Sequence, residues 1–230
     1  MAVHWSTVGI ICAFIFVAPL LGFVAGNLIT LLLYWCCHKV KPHKMDVWSK
    51  RLQLVSSACL STAHGLNDSQ KEIGVIACAL AAFGAQYGLD ELPHWLLPDT
   101  ITNIGDSAHN FTGAPAWIPV ACITAIAIGT MSGGWKIIKT MGNKITKITP
   151  YEGFCSQAAG AITLFITQNL GIPVSTTHVI SGSIMGVGSV KRLSAVRWGV
   201  SKELITAWII TIPISAVIGA CVYGVMAILS

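Results

Sequence analysis

Three stretches of this chain, Val8–Trp35, Trp117–Trp135 and Leu204–Leu229, are apolar over lengths that approach or exceed what a bilayer demands. About 20 residues of α-helix cross the hydrocarbon core. Backbone polar groups inside lipid must be paired within their own segment, so such runs are expected to be helices. Composition agrees, with 54% hydrophobic and 10% charged residues, against roughly 25% charged in soluble domains. The sequence therefore predicts an all-α polytopic membrane protein. A single transmembrane domain is expected over residues 1–230, because no linker or low-complexity segment marks a second one.

Charge placement supplies a topology. Of the 14 Lys and Arg, five lie between Lys39 and Arg51, four between Lys136 and Lys147, and four between Lys191 and Lys202. Gly88–Pro115 holds Asp90, Glu91, Asp99 and Asp106 without a basic residue. This is positive-inside asymmetry, with the basic clusters cytoplasmic. A nucleic-acid partner is not expected, since no recognition pattern accompanies the basic clusters. The eight Cys fall mostly in apolar stretches without CxxC spacing, which reads as small buried hydrophobes rather than disulfides or a metal site. The first 35 residues lack the basic n-region of a secretory signal, and their apolar run is too long for one.

The expected spans are 8–35, 52–87 interrupted at 64–72, 117–135, and 204–229. Residues 151–190 lie between two basic clusters, so they must go in and come back as a hairpin turning at 171–178. Trp35, Trp117, Trp135, Trp198 and Trp208 are placed as an interfacial belt. Gly22 and Gly26 form a GxxxG spacing of little weight alone. Pro19 and Pro213 are expected kinks. Of two glycosylation sequons, Asn67–Ser69 lies at membrane depth and reads as accidental, and Asn110–Thr112 matters only in a secretory-pathway host. A first span running inward without a signal is more natural for the second half of a longer chain.

Two polar interruptions carry the chemistry. In "SACLSTAHGLNDSQKEIGVIACAL", His64, Asn67, Asp68, Lys71 and Glu72 sit within a spanning segment. An ionisable residue there costs about 2.5–3.5 kcal/mol on insertion scales. Gly65 is expected to unwind the helix and free carbonyls for a cation. Asp68, Lys71 and Glu72 share one helical face, and an ion pair that merely packs the bundle is the plainer alternative. In "GIPVSTTHVISGS", Gly171 and Pro173 end one helical arm, and Ser175 can cap a second from about Thr176 to Val190. The hydroxyls of Ser175, Thr176 and Thr177 then meet free N–H groups at a positive dipole end, a setting for a releasable oxyanion. Simple capping and back-bonding is the alternative.

"HGLNDSQKEIG" and "GIPVSTTHVISGSIMG", with "YEGFCSQAAGAITLFITQNL" and "LITAWIITIPISAVIGA" beside them, resemble the inorganic phosphate transporter (PiT) family from about Leu52 onward. The Gln70-Lys71 pair after Asn67-Asp68 is similar to the bacterial low-affinity branch. The resemblance implies a secondary transporter of inverted repeats with broken helices and a helical hairpin, carrying phosphate with a coupling cation. It assigns Asn67 and Asp68 to both phosphate and cation, and Ser175, Thr176 and Thr177 to phosphate oxygens. Gln157 joins the cation set, standing where sodium-coupled relatives often have Glu; this favours a proton over sodium, with a metal-phosphate complex as a candidate substrate. His64, Gln70, Lys71 and His178 are supporting candidates. No resident metal or other cofactor is implied, and the expected surroundings are membrane lipid, in a bacterium the inner membrane.

The family carries one such motif pair in each half, and this chain has a single pair. It resembles the C-terminal half, which implies a complementary half as partner. Two other functions compete. A non-transporting remnant or regulatory subunit follows if the second half is absent. An intramembrane hydrolase would need Ser175 as nucleophile, His178 as base and Asp68 as orienter, although no GxSxG elbow is present.

Overall fold

The apolar runs fold as long helices. The computed structural model describes residues 5–87, 93–96, 115, 117–140, 142 and 145–229. They form α1 (Trp5–Cys37), α2 (Pro42–Tyr87), α3 (Trp117–Thr140), α4 (Pro150–Asn169), α5 (Thr176–Lys191) and α6 (Trp198–Leu229), with 3₁₀ turns at His94–Leu96 and Leu193–Ala195. No strand occurs among the described residues. Val8–Cys37, Trp117–Trp135 and Trp198–Ile228 are long and apolar enough to cross a membrane. The acidic positions Asp90, Glu91, Asp99 and Asp106 and the sequon at Asn110 lie outside the described residues.

Local chemistry explains the turn between α4 and α5. Gly171 adopts φ 67°, and the N–H groups of Gly171 and Ile172 bond back to the carbonyls of Gln168 and Thr167. This is a Schellman C-cap, which needs a left-handed residue that glycine supplies without steric cost. Pro173 then prevents the helix from resuming. The two arms return antiparallel: Glu152 meets Lys191 at the base, Gly160 faces Ile180 and Ser183, and Leu164 and Val179 share a core cluster near the tip. The turn runs from Leu170 to Ser175, the front part of the expected 171–178.

Each arm lies along a longer helix. On α2, Gln53 packs at Gly153, Leu60 at Gly160 and Asn67 at Val174, so α2 and α4 run parallel. On α1, Pro19 packs at Gly182 and Phe23 at Gly186, so α1 and α5 run parallel too. A Cβ on Gly182 or Gly186 would collide with the carbonyl oxygens of Pro19 or Phe23, and one on Gly22 with that of Val179. The GxxxG of α1 thus faces a second one on α5, and backbones approach where side chains would hold them apart. The spacing that carried little weight in sequence is the tightest seam of the fold.

Three expectations need correction. α2 is unbroken through 64–72, and Gly65 has no neighbour that would reward unwinding. One glycine costs a helix only ~1 kcal/mol, less than carbonyls stranded in apolar surroundings. Of the eight cysteines only Cys155 is buried; Cys37 and Cys122 are half-buried, and the other five lie exposed on helix faces. Trp208 is not part of a belt, because its ring stacks on His178 with centroids 4.0 Å apart. By contrast, Trp35 and Trp135 are 79% and 78% exposed.

The remaining helices attach at their ends. Val200 and Leu204 of α6 pack on a core of Ile145, Ile184, Met185 and Val196, and most of the helix beyond is exposed. Trp117 at the start of α3 donates to the Trp95 carbonyl at 2.8 Å. Pairs linking Tyr151 to Thr30, Glu152 to Lys191 and Arg197 to Ile145 gather the ends of α1, α4 and α5 and the start of α6 at one pole of the bundle. Basic residues from all three clusters border that pole, as positive-inside placement expects.

Candidate functional site

The opposite pole holds the tip of the hairpin against the middle of α2, and the candidate residues meet there. Asn67 Nδ2 donates to the Val174 carbonyl at 3.0 Å, and Lys71 Nζ donates to the same oxygen at 2.7 Å. Lys71 Nζ also lies 3.0 Å from Asp68 Oδ1. The other carboxylate oxygen of Asp68 is 3.4 Å from His64 Nε2 and accepts from Thr176 Oγ1 at 3.4 Å. Asn67, Asp68 and Lys71, at helical spacings of one, three and four on α2, are thereby latched onto the hairpin tip more than 100 positions away, and His64 backs Asp68 from one turn earlier.

Helix α5 begins at this latch. Its first intrahelical bond runs from Val179 N to the Ser175 carbonyl, so the N–H groups of Thr176, Thr177 and His178 precede the helical ladder. Ser175 occupies the N-cap position, but its hydroxyl makes no capping bond. Thr176 turns its hydroxyl to Asp68 instead of to a carbonyl one turn back. Simple capping therefore does not account for the Ser-Thr-Thr run. Asp68, Lys71, Ser175, Thr176, Thr177 and His178 line one cavity of about 380 Å³ whose apolar wall is Ile11, Phe14 and Ile15 of α1. A tetrahedral oxyanion there would find uncharged donors, a helix N-terminus and one ammonium group.

A second cavity, about 230 Å³, lies on the other side of Lys71 and is lined by Asn67, Gln70, Gln168 and the turn from Gly171 to Pro173. Gln168 Oε1 is buried without a hydrogen-bond partner. Gln70 therefore joins the site through the second cavity alone and Lys71 through both. Glu72 is exposed and lines neither.

Gln157 is not brought to the cluster. Its Oε1 accepts from Ser56 Oγ at 2.9 Å, and Ser56 lies about 18 Å along α2 from Asp68 at ~1.5 Å per residue. Gln157 and Asp68 cannot share one ion's coordination sphere; the hairpin arm carries Gln157 toward its base while Asp68 meets the tip. The hydrolase arrangement is not assembled either. His178 stacks on Trp208 and donates to the backbone of Ile15, whose carbonyl loses its helical donor because Pro19 has no N–H. Asp68 is turned to Lys71, His64 and Thr176. Motif reasoning missed the Val174 carbonyl, Trp208 and Gln168, since backbone acceptors and lone aromatic or amide side chains leave no pattern. No group of three or more metal-ligating side chains is found among the described residues.

Comparisons with known proteins identify relatives of the chain. A family model described as the phosphate transporter family matches residues 1–219. A protein of Rhizobium meliloti named "Probable low-affinity inorganic phosphate transporter" is 42% identical over 209 residues, 91% of this chain and 56% of the relative. A Bacillus subtilis protein of the same name is 37% identical over the same shares, and one from Mycobacterium bovis is 33% identical over 91% of this chain and 45% of its own length. The chain spans about half the length of these curated relatives. No solved structure matches it. A match covering nearly all of its residues places this chain, a membrane protein of apolar helices, in the phosphate transporter family.

Proposed function

We propose that the chain forms one half of a multi-pass carrier for inorganic phosphate that works by cation-coupled symport, a proton being the favoured coupling ion. The carrying observation is the convergence of the Ser175, Thr176 and Thr177 hydroxyls, the N-terminus of α5 and the Asp68–Lys71 pair on one cavity. Phosphate oxygens would accept from those hydroxyls and from the free N–H groups of the first helical turn. Asn67 holds the loop that presents them by its bond to Val174. A metal-phosphate complex would suit the same site, because Asp68 adds a carboxylate where a metal ion would need oxygen.

Asp68 supplies the coupling. With the carboxylate ionised and paired to Lys71, a bound phosphate adds negative charge that the pair leaves uncompensated. A proton or cation at Asp68 offsets it, so fully loaded and empty carriers reorient while half-loaded ones stay costly. Single copies of the Asn-Asp and Ser-Thr-Thr motifs, and relatives of which the matched region fills 56% and 45%, support the reading that a complementary half completes the cradle. That half would stand as an inverted repeat of this one, this chain corresponding to the C-terminal part. Thirteen positive charges at one side disfavour a second copy of this chain in the opposite orientation.

Proteoliposomes provide the test. The chain together with the remaining part of the Rhizobium meliloti relative should take up radiolabelled phosphate in response to an imposed proton gradient. The chain alone should not, and Asp68→Asn in the pair should abolish coupled uptake. Robust uptake by the chain alone overturns the half-carrier reading. Unchanged uptake and pH dependence in Asp68→Asn overturns the role of that carboxylate.

A further inference from the structure

The hairpin tip already contains a cation, and it is covalently attached. Lys71 Nζ sits between Asp68 Oδ1 at 3.0 Å and the Val174 carbonyl at 2.7 Å. A carboxylate oxygen beside a main-chain carbonyl freed at a helix break is the kind of donor set a hard cation takes from protein. Val174 lies in such a break, between the end of α4 and the start of α5. The ammonium satisfies the same oxygens through N–H donors. It also lines both cavities. Among the described residues, His64 meets the opposite carboxylate oxygen at 3.4 Å, and Glu72 lies one turn on along the same face of α2.

We propose that Lys71 is the resident counter-cation of this site, its ammonium filling the position between Asp68 and Val174 that a free monovalent cation would otherwise take. Sodium is thereby kept out of that position without any steric filter. The pair holds the tip near neutrality before an anion arrives, and the ammonium can turn toward an anion in the larger cavity without leaving the carbonyl it is anchored to. The inference rests on the phosphate reading only for the identity of that anion. It stands on the lysine geometry for everything else.

Removing the charge while keeping the stem should convert the position into a sodium site. The experiment is thermal unfolding of the purified full chain in detergent, in sodium chloride and in choline chloride at equal ionic strength. The wild-type chain should unfold at the same temperature in both salts. Lys71→Met and Lys71→Gln should unfold earlier in choline and recover in sodium, a sodium-specific rise of about 4 °C or more. Lys71→Arg, which keeps a cation, should stay indifferent to the salt. A sodium-specific rise in the wild type as large as in the variants overturns the proposal whether or not the variants fold. Folded Lys71→Met or Lys71→Gln that ignores sodium overturns it as well. A phosphate titration in choline, with the chain joined to the remaining part of the Rhizobium meliloti relative, separates the two readings: if that wild-type pair binds no phosphate while Lys71→Met gains its sodium response, the phosphate assignment falls and the lysine assignment stands.

Discussion

The two ends of the α4–α5 hairpin each hold a carboxylate, and they are treated differently. At the base, Glu152 is buried, its side chain 5% exposed, and it pairs with Lys191 at 2.7 Å. It also accepts from the backbone N–H and the hydroxyl of Thr149 at 2.8 and 2.9 Å. Its oxygens are saturated by neighbours that close the first turn of α4. At the tip, Asp68 is 31% exposed; two of its contacts stretch to 3.4 Å, and the Ser175 hydroxyl beside it has no capping bond. A structural charge exhausts its partners, whereas a site for a passing ion keeps donors and acceptors in reserve.

The largest effect should come from breaking the seam on which both ends depend. Gly182→Val puts branched carbon against the Pro19 carbonyl and should cost about 3 kcal/mol or prevent assembly. Unfolding in detergent, followed by circular dichroism, checks it, and both ends should fail together. Glu152→Ala attacks the base alone. It removes one charge-assisted pair and leaves Lys191 largely in contact with solvent, so a loss of roughly 1–3 kcal/mol is expected. Phosphate affinity at the tip should stay within twofold, by equilibrium dialysis with radiolabelled phosphate.

Ser175→Ala inverts that pattern. Its hydroxyl supports no cap, so stability should shift by less than ~0.5 kcal/mol, while phosphate binding to the assembled carrier should weaken by about tenfold, or ~1.4 kcal/mol. If Ser175→Ala destabilised the chain as much as Glu152→Ala, the contrast between the two ends would collapse.

Much of the tip was legible in sequence. Gly171, Pro173 and Ser175 each have a strong local meaning, and they place the turn and the start of α5 without tertiary information. Asp68 and Lys71 sit three apart, a spacing that pairs them on any helix. Gln157 was misplaced because motif membership says nothing about distance along a helix, and the hairpin separates its base from its tip. Gly65 was misread because its conformational freedom permits unwinding without requiring it. The GxxxG of α1 was undervalued because a spacing acquires force only when a matching stripe faces it.

By itself, the sequence determined that this chain lives in apolar surroundings, which pole carries the basic residues, and where the hairpin turns. Those properties are local or additive: hydropathy, charge counts and the dihedral demands of glycine and proline. Only the tertiary structure decided that the two glycine stripes interlock, that α2 stays intact beneath its polar face, that Trp208 covers His178, and that the Val174 carbonyl holds Asn67 and Lys71 together. Each of these depends on groups brought close from distant positions, and close packing is selective at the scale of a single methyl group, finer than any one-dimensional pattern records.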